Sequence, residues 1–215
     1  MNANGFEKLH GIDEMDEKQV LTLCRTAEWL TRQKLSGTIE LYRPVKVQTG
    51  RTPRQTGARR IRRTNVMKRI GILGAGTWGM ALARMLTVSG NDVLVWSAIE
   101  KEIDSLSTTR KHPNLPQMKI PDELRFTKSI EEVCKDKDIL LFAVPSVFVR
   151  STAAKARPYV ADGQIIVDVA KGIEPDTLYT MTEILADELG KEGGPKGVRL
   201  VALSGPTHAE EVAID

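Results

Sequence analysis

The 215-residue sequence predicts a doubly wound α/β fold on a mostly parallel sheet, preceded by a basic extension that is partly helical and partly disordered. Three observations predict it. A short apolar run at 69–73 leads straight into Gly74-Ala-Gly-Thr-Trp-Gly79, and a helical pattern follows at once. Further along, apolar runs and helical patterns alternate as far as residue 203. Several of the runs are continuous (Ile-Leu-Leu-Phe-Ala-Val from Ile139, Ile-Ile-Val-Asp-Val from Ile165), as suits parallel strands covered on both faces.

Strands are expected at 69–73, 92–96, 139–143, 164–169 and 199–203, with a weaker one near 124–127. Between them lie helical patterns at 77–89, ended by Gly90, and at 99–107. A short helix at 130–134 follows the weak strand. Two more helices follow, 147–157 ended by Pro158 and 177–189 ended by Gly190.

The glycine run has the order a dinucleotide-binding βαβ unit requires. Gly74 permits the tight turn, Gly76 lets the backbone approach a pyrophosphate, and Gly79 lets the helix pack closely on the strand. The N–H groups of the first helical turn, at the positive end of the helix dipole, then face the phosphates. Trp78 falls at this turn and is expected to touch the cofactor. In such a sheet the ligand lies beyond the carboxyl ends of the strands. The loops there are rich in Gly, Pro and small polar residues, and Lys171 stands in one of them. A lysine so placed binds a phosphate or polarises a carbonyl. After the second strand, Ser97-Ala-Ile-Glu100-Lys101 offers both signs of charge. Glu100 is read as a partner for the ribose hydroxyls, or equally as a charge complementing the helix dipole. NAD or NADP is the expected cofactor, with NAD slightly favoured.

Residues 1–66 differ from the rest. A helix is expected at about 17–35, where Val20, Leu21, Leu23, Ala27, Trp29, Leu30 and Leu35 recur at helical spacing. A basic linker follows, with eight Lys/Arg and no acid between Arg51 and Arg69. Residues 1–69 carry a net charge of +8 and residues 70–215 one of −5, so the overall +3 is an average of two unlike segments. The basic run reads as a solvated extension in preference to a nucleic-acid arm. No stretch approaches the roughly 18 apolar residues of a membrane span. The mixed charge of the first thirty residues argues against a signal peptide. Cys24 and Cys134 lack metal-type spacing and read as reduced thiols, which suits a cytoplasmic protein.

Five segments carry a family resemblance: Gly-Ala-Gly-Thr-Trp-Gly (74–79), His-Pro-Asn-Leu-Pro (112–116), Ala-Val-Pro-Ser (143–146), Ala-Lys-Gly-Ile-Glu-Pro (170–175) and Leu-Ser-Gly-Pro-Thr-His-Ala-Glu-Glu-Val-Ala (203–213). From residue 68 to 215 the chain resembles the amino-terminal domain of bacterial NAD(P)-dependent glycerol-3-phosphate dehydrogenase. The resemblance implies a cofactor domain at 67–215 and reversible reduction of dihydroxyacetone phosphate to sn-glycerol 3-phosphate, feeding glycerophospholipid synthesis. It also implies that Thr77 and Trp78 contact the cofactor and that Lys171 touches cofactor and substrate. Gly205 and Thr207 would line the substrate pocket, with Ala209 on the nicotinamide side. The family's general acid/base lysine belongs to a second, helical domain beyond residue 215. No catalytic residue, no metal and little turnover are therefore expected of these 215 residues, and apolar surface is expected near 201–214. Homodimerisation is expected only of the longer enzyme.

Two other readings stand beside this one. The chain could belong to another two-domain reductase acting on a hydroxy acid or a ketopantoate-like substrate, or be a non-catalytic nucleotide-binding module with a basic arm. Of the histidines, His208 reads as a packing residue and His112 belongs to no cluster.

Overall fold

The structure is a computed structural model and describes residues 67–205 and 208–214. The helix expected at 17–35, most of the basic linker, Cys24 and Thr207 lie outside the described residues. Six strands form one sheet: β1 (Arg69–Leu73), β2 (Asp92–Trp96), β3 (Arg125–Thr127), β4 (Ile139–Phe142), β5 (Ile165–Asp168) and β6 (Arg199–Ala202). All neighbouring pairs are parallel, in the order β3-β2-β1-β4-β5-β6. The chain winds outward from β1 to β3, then returns across it to β4. A crevice therefore opens between β1 and β4 at their carboxyl ends, the switch point of a doubly wound sheet.

Six helices cover the sheet: α1 (Thr77–Val88), α2 (Glu100–Thr109), α3 (Ile130–Cys134), α4 (Val149–Ala156), α5 (Met181–Leu189) and α6 (Ala209–Val212). Strand residues alternate between two cores, as the two-residue period of a strand requires. Ile70, Ile72, Val93, Val95, Leu141 and Val167 face α1, α2 and α6, meeting Met80, Leu82, Leu106 and Val212. Leu73, Leu94, Leu140, Phe142 and Ile166 face α3, α4 and α5, meeting Val133, Ala153, Ile184 and Leu185. Both faces are thus buried, which explains the continuous apolar runs of β4 and β5. Phe142 is fully buried at the centre, where truncation to alanine would cost about 3–5 kcal/mol.

Four boundaries differ from the sequence-based expectation for identifiable reasons. The helix expected at 99–107 runs on to Thr109, where Arg110 takes a left-handed conformation (φ 52°) and closes it. The Arg110 guanidinium donates to the carbonyls of Pro121 and Leu124, fixing the long connection to β3. The helix expected at 147–157 is α-helical only over α4, with 3-10 turns at Ser146–Phe148 and Arg157–Tyr159. The helix expected at 177–189 starts at Met181. There the Thr180 hydroxyl accepts from the Glu183 N–H, and the Glu183 carboxylate accepts from the Thr180 N–H at 2.7 Å, a reciprocal cap. Cys134 is buried, and burial pushes its thiol up to about 12. No helix among the described residues is long and apolar enough to cross a membrane.

Candidate functional site

The glycine turn between β1 and α1 forms one wall of the crevice. Gly74 has φ 125°, a left-handed value that a side chain resists, and a Cβ there would stand 2.5 Å from the Ala143 carbonyl oxygen. Its N–H donates to the Trp96 carbonyl at 2.8 Å, tying the turn to the end of β2. A Cβ on Gly79 would meet the Gly74 carbonyl oxygen at 2.2 Å, so α1 lies directly against the turn. Gly76 is the opposite case: nothing lies within 4 Å of the Cβ it lacks. Gly76 is also the N-cap of α1, with no side chain capping the first turn and no acidic residue in it. The N–H groups of that turn face open space at the positive helix end, a seat for a phosphate. The residues present therefore fit the pyrophosphate of a dinucleotide.

Residues 112–114 hold the turn in place. His112 is only 3% exposed. Its Nδ1 accepts from the Asn114 N–H at 3.2 Å, which leaves Nε2 to donate to the Ala75 carbonyl. Burial lowers its pKa, so the ring works as a neutral donor. Asn114 Nδ2 donates to Thr77 Oγ1 at 3.4 Å. His112, read in the sequence as belonging to no cluster, supports the middle of the phosphate turn. The signal was the short interval between His112 and Asn114 inside a Pro-rich connection.

The far wall comes from the loops after β4, β5 and β6. Asp168, at the end of β5, is 4% exposed, and burial pushes its carboxyl up to about 6. Its Oδ1 accepts from the Ala170 N–H at 3.1 Å, which turns the chain toward Lys171. Lys171 Nζ donates to the Gly205 carbonyl at 2.9 Å, joining the β5 and β6 loops. Three residues on, the Glu174 carboxylate receives Arg150 Nε and Nη2, both at 2.7 Å. That bidentate pair, with Thr177 also donating, holds Glu174 down at about 2. Arg150 also pairs with Asp187 and lies 3.5 Å from the buried Glu188, so α4 grips both the Lys171 loop and α5. Sequence reasoning missed Arg150.

The expected site residues fall as follows. Gly74, Gly76, Thr77 and Gly79 form the turn. Trp78 is half-buried and packs against the core. Lys171 and Gly205 bond to each other within the far wall. Ala209, half-buried at the start of α6, packs on the same core as α1. Glu100 is exposed at the start of α2, 3.6 Å from Lys128, which also pairs with Asp104. His208, expected to pack, is exposed as the N-cap residue of α6, because the chain there sits at the rim of the sheet. Of the apolar surface expected near 201–214, Ala202 and Ile214 are exposed and Val201 and Leu203 half-buried, whereas Val212 and Ala213 are buried. Exposed apolar side chains gather instead beside the β4 and β5 loops: Val147, Phe148, Ile173 and Leu178. Among the described residues no group of His, Cys, Asp and Glu could hold a metal ion.

Strand order, glycine turn and uncapped helix together define a dinucleotide-binding domain of the Rossmann type. The family model described as NAD-dependent glycerol-3-phosphate dehydrogenase N-terminus matches residues 69–215, and the chain belongs to that family. A glycerol-3-phosphate dehydrogenase [NAD(P)+] of Lactobacillus delbrueckii is 68% identical over 149 residues, which cover 69% of this chain and 44% of that protein. A namesake from Agathobacter rectalis is 48% identical over 147 residues, 68% of this chain and 42% of that protein. The crystal structure of glycerol-3-phosphate dehydrogenase from Coxiella burnetii superposes with a TM-score of 0.59 at 29% identity, over 68% of this chain and 43% of that one. The chain thus spans less than half the length of these relatives.

Proposed function

We propose that residues 67–215 are the cofactor half of an enzyme that reduces dihydroxyacetone phosphate reversibly to sn-glycerol 3-phosphate with NADH or NADPH. Residues 1–66 are an extension dispensable to that chemistry. The observation that carries the reading is the open space over Gly76 before an uncapped helix N-terminus, in a chain of this family. A bound nicotinamide dinucleotide supplies the hydride for C2 of the substrate. The protein's part is binding and orientation.

Gly74, Gly76, Thr77 and Gly79 seat the pyrophosphate, with Trp78 and Ala209 flanking the cofactor. Lys171 offers its ammonium to the substrate's phosphate or carbonyl oxygen, where negative charge grows during hydride addition. Its hydrogen bond to the Gly205 carbonyl aims that charge into the crevice, and the substrate lies along Gly205 and Thr207. The longer enzyme works in the cytoplasm as a homodimer. The test is titration of this chain with NADH and NADPH, then with dihydroxyacetone phosphate present. Saturable binding tightened by the phosphate, and not by pantoate, supports the reading; no binding of either dinucleotide overturns it.

A further inference from the structure

We propose that Glu102, held by Ser97 at the carboxyl end of β2, selects NAD(H) over NADP(H). The inference rests on the dinucleotide reading above and concerns the adenosine ribose, which in this fold lies over the end of the second strand. That end is defined here by the Gly74 N–H donating to the Trp96 carbonyl, with Ser97 next along the chain. Ser97 is 7% exposed. Its hydroxyl accepts from the Ile99 N–H at 3.1 Å and donates its single proton to Glu102 Oε2 at 2.5 Å. The carboxylate is therefore pinned beside the strand end instead of swinging in solvent. Glu102 is thus held beside the end of β2, where this fold places the ribose if the pyrophosphate occupies Gly76.

Among the described residues Glu102 Oε1 has no hydrogen-bond partner, so one oxygen is left to accept from a ribose hydroxyl. A 2′-phosphate in the same place would bring a second negative charge against the carboxylate. The cations nearby do not reverse this. Lys128 is engaged by Asp104 and Glu100. Lys101 is exposed in the first turn of α2, next to Glu100 and Glu102.

NADH and NADPH are titrated separately against the 215-residue chain by quenching of tryptophan fluorescence, with melting of the ligand-free protein followed alongside. The unsubstituted chain should bind NADH about tenfold or more tightly than NADPH. Glu102→Gln keeps an acceptor for Ser97 but removes the charge, and should close that gap about tenfold without moving the ligand-free melting temperature. Ser97→Ala, which releases the carboxylate, should narrow the gap in the same direction. Lys101→Ala should leave the ratio where it was. An unchanged ratio in Glu102→Gln, a melting shift as its only effect, or loss of NADPH binding confined to Lys101→Ala would each overturn the assignment while the dinucleotide reading stands. Failure of both dinucleotides to bind the unsubstituted chain overturns both.

Discussion

Gly76 and Gly79 lie within one helical turn, yet alanine at the two positions should have opposite consequences. At Gly79 the new Cβ would stand 2.2 Å from the Gly74 carbonyl oxygen and 3.2 Å from Ala143 Cβ. A backbone oxygen cannot swing aside, so α1 or the turn must move by about an ångström. Overpacking of this kind costs about 1–3 kcal/mol. For a domain of this size that lowers the melting temperature by roughly 3–10 °C. At Gly76 the backbone is already extended (φ −65°, ψ 178°) and the Cβ meets nothing. Alanine is a poorer N-cap than glycine, but it reduces the freedom of the unfolded chain by about 0.4–1 kcal/mol. The two effects roughly cancel, so Gly76→Ala should melt within a few degrees of the unsubstituted protein. The same methyl, however, occupies space the pyrophosphate needs. Binding of NADH should weaken at least about tenfold, a loss of about 1.4 kcal/mol. Thermal melting without ligand and fluorescence titration with NADH separate the two effects. Gly76→Ala that melts as low as Gly79→Ala, or that binds NADH normally, would refute the assignment of that space to a ligand.

Two further perturbations probe the far wall. Arg150→Ala removes the bidentate hold on Glu174, and hydrogen exchange of the amides at 171–178 should quicken at neutral pH; unchanged protection would mean that the loop is held by other contacts. In the unsubstituted protein, Glu174 is held at about 2 against an ordinary 4.5. The pair's stabilisation is therefore complete above about pH 4.5 and is lost only as the pH falls through about 2, so loop protection at pH 5 should match that at pH 7. Asp168 has the opposite sign, since burial raises it from 3.8 to about 6. The folded state favours the protonated form, and stability declines as the pH rises from about 4 through about 6. Asp168→Asn should accordingly stabilise by about 1–3 kcal/mol at pH 7, with the gain fading toward pH 4 in denaturant titrations. Equal destabilisation at both pH values would show that the Ala170 hydrogen bond outweighs the buried charge.

The sheet was readable from the sequence because burial on both faces writes itself locally. Ile139–Phe142 and Ile165–Asp168 are uninterrupted apolar runs broken only by Asp168. The glycine turn was readable because its three glycines stand at fixed short intervals directly after an apolar run, whichever contact each one answers: Ala143 across the sheet for Gly74, open space for Gly76 and the Gly74 carbonyl for Gly79. The start of α5 was misplaced because Thr177 resembles a cap as much as Thr180 does. Glu183, three residues beyond Thr180, was the available signal, and in the structure Thr177 bonds to Glu174 instead. His208 was misassigned because periodicity does not say that a residue stands at the rim of a sheet.

What the sequence concealed is a set of side-chain contacts across long separations. Asn114 reaches Thr77 over 37 residues, Lys171 reaches Gly205 over 34, and Arg150 reaches Asp187 over 37. Each pair joins loops or helices that the doubly wound topology brings together, and nothing beside either partner in the chain says which residue it meets. Glu102 shows the same limit at shorter range. The sequence points to Glu100, the first acid after β2, as a ribose partner, but α2 begins there and carries Glu100 toward Lys128. Two residues further around the helix, about 200° at 3.6 residues per turn, Glu102 faces back to Ser97. The helical turn decides which acid meets the strand end, and that phase becomes visible only once the start of α2 is known. The same reasoning makes Glu100 a control: Glu100→Gln should leave the NADH to NADPH affinity ratio unchanged, and a shift as large as that of Glu102→Gln would mean that the field of the whole helix turn, not the Ser97-bound carboxylate, discriminates between the cofactors.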